Sequence, residues 1–484
     1  MIRRLLIANR GEIALRVART CRELGIEVVA VHSTADGDAP VLALADEAVC
    51  IGPPAAKESY LNIPNIVEAA RQAGADAVHP GYGFLSEDPD FAEVCTANGL
   101  VFVGPDPEVM ARLGNKAVVR GLMASAGLPL LPGTEDPVET VEDGERIAAE
   151  IGYPVIIKAA AGGGGRGMTV VPAASEFRAA YHATRASAHA VFRDSTVYLE
   201  KFLTGARHVE IQVLCDRHGN GIHLGERDCS VQRRHQKLVE EAPSTRLDAA
   251  LRAEMGAAAV RGALSVGYSG AGTMEFLVDD GGRFYFMELN ARIQVEHPVT
   301  EMVTGVDLVA EQIRVAGGAP LSLSQSEVEI SGAAIECRIN AEDPGLSFAP
   351  TPGVLERLDL PGGPWTRVDA GYLPGSRVSP YYDSLLAKVV VWGPDRPAAL
   401  ARMDRALTEI RVHGRGISTT AGFHRAVLRH PVFAAGEHTI HFVDEMLAGE
   451  MGTGGDPAQR HAGAGRQAAD TMELLVDDAT AVTA

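Results

Sequence analysis

The chain is short of positive charge. Its 44 Lys and Arg stand against 63 Asp and Glu, a formal net charge of -19 over 484 residues. A general nucleic-acid or anionic-membrane binder needs a basic face, so this excess disfavours both, and any anion site has to be local. No run approaches the ~18 apolar residues of a membrane span. The opening "MIRRLLIANRGEIALRV" is interrupted by Asn9, Arg10 and Glu12 before the apolar region of a signal peptide would be complete. The six cysteines (Cys21, Cys50, Cys95, Cys215, Cys229, Cys337) show no C-x-x-C spacing, which fits reduced thiols and predicts a cytoplasmic protein. The first strand–helix turn carries only Gly11 instead of G-x-G-x-x-G, which argues against a nicotinamide dehydrogenase. There is no internal repeat.

Hydrophobic residues make up 46% and charged residues 22%, as in ordinary globular proteins, and the length predicts about three domains. Leu5 to Ala8, "NRGEIALRVARTCRELG" and "IEVVAVHS" read as strand, helix and strand, with Gly25 closing the helix. A second unit through "VFVGP" completes a doubly wound parallel-sheet domain over 1–113. A small α/β unit follows over 114–203, with strands Pro154 to Lys158 and Met168 to Val171 and then "VYLEKFL". From 204 to 446 the texture is antiparallel, with a helix capped by Asp395 and Pro397 that runs to Ile410. Residues 447–484, rich in Gly and Ala, read as a disordered tail.

The segment "GTMEFLVDDGGRFYFMELNARIQVEH" predicts a site. If Gly281-Gly282 forms a two-residue hairpin loop, Asp280 faces Arg283 and Glu275 lies opposite Glu288. Opposed carboxylates repel unless a cation sits between them. Glu275, Glu288 and Asn290 are hard oxygen donors suited to Mg²⁺ or Mn²⁺ carrying nucleotide phosphates. At period two, Glu288, Asn290, Arg292, Gln294 and Glu296 share one side, and Leu289, Ala291, Ile293 and Val295 share the other. The run "VQRRHQKLVEEAP" clusters Arg233, Arg234, His235 and Lys237, which reads equally as an anion pocket or a solvated basic loop. In "IIKAAAGGGGRGMTV" the glycines let backbone N–H groups approach phosphate and let a loop fold over a nucleotide. This is not a Walker A loop, because Lys158 precedes the glycines.

"HPGYGFLSE", "YPVIIKAAAGGGGRGM", "RHVEIQV", "ERDCSVQRRHQKLVEEAP", "MELNARIQVEHPVTE" and "IECRINAED" resemble biotin carboxylase of the ATP-grasp superfamily over residues 1 to 445. The resemblance implies three domains, the middle one a mobile lid over about 131–203. It implies ATP-dependent carboxylation, by bicarbonate, of biotin on a carrier protein. Carried over motif by motif, it implies that Lys116, Lys158, Gly164, Gly165, Glu200, Lys201, Leu203, His208, Gln232 and His235 hold ATP, with "EKFL" serving the adenine through its backbone. Glu275, Glu288 and Asn290 would bind Mg²⁺ or Mn²⁺, with two metal sites. Bicarbonate would rest on Arg292, Gln294, the Val295 backbone and Lys237, with Glu296 as its base, Arg338 stabilising the biotin enolate and Tyr82 near biotin. Cys229 is not needed as a nucleophile. Three positions depart from the family pattern: Ala161 within the glycine run, Asn115 before Lys116, and Thr420 where Asn is usual. No Met-Lys-Met carrier motif occurs, so the expectation is a carrier protein and a carboxyltransferase in trans, a homodimer, and no nucleic-acid or membrane partner, within an acyl-CoA carboxylase that serves fatty acid synthesis from acetyl-CoA.

Overall fold

The computed structural model describes residues 2–134, 136–160 and 167–449. The predicted tail from 450 onward, Ala161, Gly164 and Gly165 lie outside the described residues.

Five short parallel strands open the chain: β1 (Arg4–Ile7), β2 (Glu27–Ser33), β3 (Glu47–Gly52), β4 (Ala77–His79) and β5 (Val101–Phe102). They lie in the order β3-β2-β1-β4-β5, the reversal at β1 that marks a doubly wound sheet. Helix α1 (Gly11–Glu23) crosses from β1 to β2, and Gly25 ends it at φ +70°, a value that costs glycine nothing. Ile13, Leu15, Val17 and Cys21 of α1 pack with Leu5, Ile7 and Val28. On the other face α2 (Ile63–Gln72) and α3 (Pro89–Ala97) bury Ile66, Val67, Phe91 and Cys95 against Leu6, Val29 and Val78.

After α4 (Pro107–Leu113) and α5 (Lys116–Ser125), helix α6 (Val141–Ile151) leads into a three-stranded antiparallel sheet. That sheet comprises β6 (Val155–Ala159), β7 (Met168–Val171) and β8 (Val197–Lys201) in the order β7-β6-β8, with α7 (Ala174–Phe192) between β7 and β8. Asn115, which departs from the family pattern, still caps α5: its side chain accepts from the Val118 N–H at 3.2 Å.

The largest layer is an eight-stranded sheet. It contains β9 (Arg207–Cys215), β10 (Gly221–Arg233), β11 (Gln236–Ala242), β12 (Gly270–Val278), β13 (Phe284–Asn290), β14 (Ala333–Asn340), Thr366–Ala370 and Leu385–Gly393. From one edge the order is β13-β12-β9-β10-β11-β14, then Leu385–Gly393 and Thr366–Ala370, every neighbouring pair antiparallel. Helix α8 (Ala249–Ser265) covers the β9 and β12 end. Helix α9 (His297–Thr304) sends Val299 and Val303 against Ala242, Ala334 and Val390, and α10 (Leu308–Ala316) packs with α1. The opposite face of β14 takes α11 (Arg396–Glu409), whose N-cap Asp395 accepts from the Ala398 N–H at 2.8 Å as the sequence predicts.

The predicted pairing of Glu275 with Glu288 is present, but the turn that makes it differs. The loop spans three residues between Asp279 and Arg283, with Gly282 at φ +76°, so Val278 pairs Phe284 and Phe276 pairs Phe286. A bulge beyond Phe276 then absorbs Met287 and restores the predicted opposition of the two glutamates. The extra loop residue and the bulge cancel. A second difference is that β13 ends at Asn290, so Arg292, Gln294 and Glu296 stand on an irregular link into α9 and not on a strand. The alternation survives at Ala291 and Ile293, which remain core residues, but breaks at Val295, which is only half-buried and lines the cavity with Arg292, Gln294 and Glu296.

Candidate active site

A cavity of about 2830 Å³ runs between the N-terminal sheet, the β6–β8 unit and one face of the large sheet. Pockets for a single small molecule are typically ~300–1,000 Å³, so there is room for a nucleotide and a second reactant together. Lys158, Glu200, Lys201, Leu203, His208, Gln232, His235, Lys237, Glu275, Glu288, Asn290, Arg292, Gln294, Val295, Glu296 and Arg338 all line it. Lys116 opens α5, and its side chain lies outside what the structure describes.

Glu275, on β12, is nearly inaccessible, accepts three hydrogen bonds and has an imidazole in ion-pair contact. Asn290 Nδ2 (2.9 Å), Gln294 Nε2 (2.8 Å) and Lys237 Nζ (3.2 Å) meet Oε1, while His208 Nε2 lies 2.8 Å from Oε2. Burial alone would raise this carboxyl, but Lys237 and His208 outweigh it and hold it well below the usual carboxylate range. His208 is raised for the reciprocal reason, Glu275 overcoming its burial. Glu288 is partly exposed beside this group and completes, with Glu275 and Asn290, a set of hard oxygen donors on one side of the hairpin. These hard oxygens are the donor chemistry a divalent cation would take, while Lys237 and His208 supply the positive charge around Glu275 in this structure.

Lys237 is the hub. Its ammonium lies 2.5 Å from Glu210 Oε2, 2.6 Å from Glu296 Oε1 and 3.2 Å from Glu275 Oε1. Against the pull of burial, these three carboxylates keep it charged far above an ordinary lysine. Glu296 also binds Arg338 Nη2 at 2.9 Å, and despite its own burial the two cations hold its carboxyl far below the usual range. The register partner of Arg338 is Lys388, and its bonds go to Glu296 and Glu240. Arg292 Nε donates to Glu87 Oε2 at 3.0 Å, and the Ala291 N–H donates to the other oxygen at 3.1 Å, so the "GYGFLSE" loop clamps the link after β13. The Val295 carbonyl accepts from Lys388 Nζ at 2.8 Å.

The basic cluster divides. Arg234 and His235 form the tight β10–β11 turn at φ +49° and +64°, conformations that non-glycine residues adopt rarely and chiefly where a site requires them. Gln232 pairs Lys237 in register, and Arg234, His235 and Lys237 face the cavity, whereas Arg233 stacks on the Phe348 ring at 4.7 Å. In the β6–β8 unit, Glu200 bonds Lys158 and also Arg120 Nη1 of α5 at 2.5 Å. Lys201 Nζ is tied to the Gly152 and Tyr153 carbonyls at 2.8 and 3.0 Å, and its backbone N–H donates to the Pro132 carbonyl at 2.7 Å. Tyr82 gives its hydroxyl to Glu12, which also pairs Lys388 at 3.1 Å. Cys229 is buried against Glu210 and Glu296, and burial with those charges drives its thiol well up, unsuited to nucleophilic attack. Thr420, another departure, accepts from the Asn340 N–H and donates to the Arg338 carbonyl at 2.8 Å, fixing the backbone beneath that arginine.

Sequence reasoning alone does not find Arg227, Glu210, Glu240, Glu87 or Arg120. Arg227 is fully buried and uses all five N–H donors: on Glu210 (2.5 Å), Gln212 (2.7 Å), Thr300 (3.0 Å), Thr273 (3.0 Å) and Gln294 (2.8 Å). Arg227 and Glu210 stand in the motifs "ERDCS" and "HVEIQV", where a charge amid a run of buried strand residues is the available signal.

Residues 1–110 match the profile described as biotin carboxylase, N-terminal domain. Residues 115–324 match carbamoyl-phosphate synthase L chain, ATP binding domain, and 336–445 match biotin carboxylase C-terminal domain. The protein named biotin carboxylase of Nostoc sp. is 55% identical over 443 residues, covering 92% of this chain and 99% of that protein. A crystal structure of the biotin carboxylase subunit of pyruvate carboxylase superposes with TM-score 0.82 at 44% identity, covering 94% of this chain and 100% of that chain. A crystal structure of the Hydrogenobacter thermophilus 2-oxoglutarate carboxylase biotin carboxylase domain dimer, with MgADP, ADP and bicarbonate, superposes with TM-score 0.86 at 45% identity, covering 94% of this chain and 100% of that chain.

Proposed function

This chain belongs to the biotin carboxylase family of ATP-dependent ligases, with the ATP-grasp fold, and we propose that it carboxylates the biotin of a separate carrier protein using ATP and bicarbonate. The observation that carries this reading is Glu296, held between Lys237 and Arg338 in the same cavity as the opposed Glu275 and Glu288. In this reading the chain divides into an N-terminal domain (1–113), a lid region (114–203) and a C-terminal domain (204–446).

Lys158, His208, Gln232, His235 and the backbone of 200–203 hold ATP, together with Lys116 and the glycines 164 and 165. Glu275, Glu288 and Asn290 hold Mg²⁺ or Mn²⁺, whose part is to offset charge on the transferring phosphoryl group. Bicarbonate settles on Lys237, Arg292, Gln294 and the Val295 backbone. A carboxylate gripped by two cations is a poor base, so the arrival of an anion matters: as Lys237 turns toward bicarbonate, Glu296 loses part of its stabilisation and can take the bicarbonate proton. The freed oxyanion attacks the γ-phosphate and displaces ADP, giving carboxyphosphate, which breaks to CO₂ and phosphate. That phosphate takes the ureido N–H proton of biotin, Arg338 faces the resulting enolate with a fixed positive charge, and the ureido nitrogen attacks CO₂ to give carboxybiotin.

The carrier, the transferase and a second copy of this chain are its proposed partners, in the cytoplasm. Among the described residues no helix is long and apolar enough to cross a membrane. We assign the complex to acyl-CoA carboxylation with acetyl-CoA as acceptor, which co-purification of the transferase tests. The test of the half-reaction is ADP formation that requires bicarbonate and rises with free biotin. ADP release indifferent to biotin would overturn it.

A further inference from the structure

Arg338 is held from behind by a carboxylate that this chemistry does not use. Glu240 Oε1 accepts from Arg338 Nε at 2.6 Å and lies 2.5 Å from Nη2, while Glu296 takes the same guanidinium at 2.9 Å. Glu240 on β11 pairs in register with Glu336 on β14, so the two side chains emerge on one face of the sheet, beneath α9. Both are 0% exposed. Glu240 Oε2 and both oxygens of Glu336 meet no hydrogen-bond donor among the described residues. The cations nearby are engaged elsewhere. Arg338 is shared with Glu296, Lys388 serves Glu12 and the Val295 carbonyl, and Lys237 is divided among three other carboxylates. On α9 the neighbouring His297 is kept neutral, its imidazole pushed well down by burial and then by Lys388. Two opposed carboxyl groups sealed from water, with one guanidinium between them and Glu296, cannot both be ionised cheaply.

We propose that Glu240 and Glu336 hold one proton between them, and that this singly charged pair positions Arg338 for the biotin half of the reaction. The proposal rests on the reading of Arg338 as the partner of the enolate. Glu336 carries the proton toward Glu240, and Glu240 fixes the plane of the guanidinium. With only one negative charge behind it, Arg338 keeps a net positive face toward biotin. The direction of titration agrees: burial, with Glu296 close by, lifts the Glu240 carboxyl to about 7 in spite of Arg338, and burial lifts Glu336 well above its usual range. When the pair loses its shared proton at alkaline pH, a second negative charge appears behind Arg338 and biotin-stimulated turnover falls.

The test is ADP formation with bicarbonate, with and without free biotin, across pH, for the full chain and for Glu336→Gln and Glu240→Gln, with near-ultraviolet circular dichroism as the fold control. Glu336→Gln retains a donor toward Glu240 and cannot take the second charge, so the alkaline decline should move up by about one pH unit or more. Glu240→Gln should lower biotin-stimulated kcat about tenfold or more, with biotin-independent hydrolysis and KM for ATP within about twofold. Superimposable profiles for wild type and Glu336→Gln would overturn the proposal, as would equal losses of both activities in Glu240→Gln. If Glu240→Gln does not fold, the Glu336→Gln profile decides alone. A wild-type protein without biotin stimulation would instead remove the functional reading on which the proposal stands.

Discussion

Replacing Arg227 with methionine tests whether the site is built on a buried ionic frame. The guanidinium is fully inaccessible, and each of its five N–H groups has its own acceptor. Removing one member of a buried pair typically costs ~3–5 kcal/mol, because the surviving charge is left without a partner. Here Glu210 would keep Lys237 at 2.5 Å, and methionine fills most of the vacated volume, so the expected loss lies at the lower end, about 3 kcal/mol. For the proposed C-terminal domain, 204–446, of about 240 residues, that lowers Tm by roughly 6–12 °C, readable by circular dichroism or calorimetry. The same change frees the Gln294 amide, whose Oε1 accepts from Arg227 while its Nε2 donates to Glu275. KM for bicarbonate should therefore rise more than KM for ATP. Arg227→Lys, which keeps the charge and loses the fork, should fall between. A Tm for Arg227→Met within about 2 °C of wild type would refute the reasoning, since the network would then be dispensable.

Glu288→Lys should abolish ADP formation with the far-ultraviolet spectrum unchanged, because it puts a cation into a cation site beside Glu275; retained turnover removes Glu288 from the metal set. Arg120→Ala leaves Lys158 as the sole cation on Glu200 of the pair seen here, so phosphate has to draw that lysine from a tighter partner, and titration calorimetry should show ATP binding weakened about threefold to tenfold. Stability should also vary with pH through Glu336 and Glu240. Both carboxyls are raised in the fold, so their contribution is fully present below the ordinary glutamate range and is lost as pH rises toward and through their folded values, about 7 for Glu240. Glu336→Gln should therefore lose less stability than wild type between pH 5 and pH 8 in denaturant titrations, and parallel curves would count against the shifts.

The parts of the site legible in the sequence were local. A glycine doublet between two alternating segments announces a hairpin, and period two puts Glu288, Asn290 and the following polar residues together. The loop length and the compensating bulge at Met287 are not encoded by any spacing rule, and the correct pairing emerged because the two deviations have opposite sign. The end of β13 leaves no mark in the sequence because burial continues after the strand stops: Ile293 packs into the core from irregular backbone. Arg227 and Glu210 were out of reach for another reason. Every residue of β9 is buried, so no alternation marks which side Glu210 takes, and the register to β10 contains an irregularity between His223 and Glu226. Arg120 sits 80 residues from Glu200, a contact that only the tertiary fold creates.

The large sheet sets a scale as well as a surface. Glu275 and Arg338 sit on β12 and β14, with β9, β10 and β11 between, so their backbones are four strand spacings apart, about 19 Å, bridged by the long side chains of Lys237 and Glu296. Ladder hydrogen bonds hold that interval constant whatever the β6–β8 unit does above it. The span over which carbon passes from phosphate to biotin is thereby ruled into the backbone.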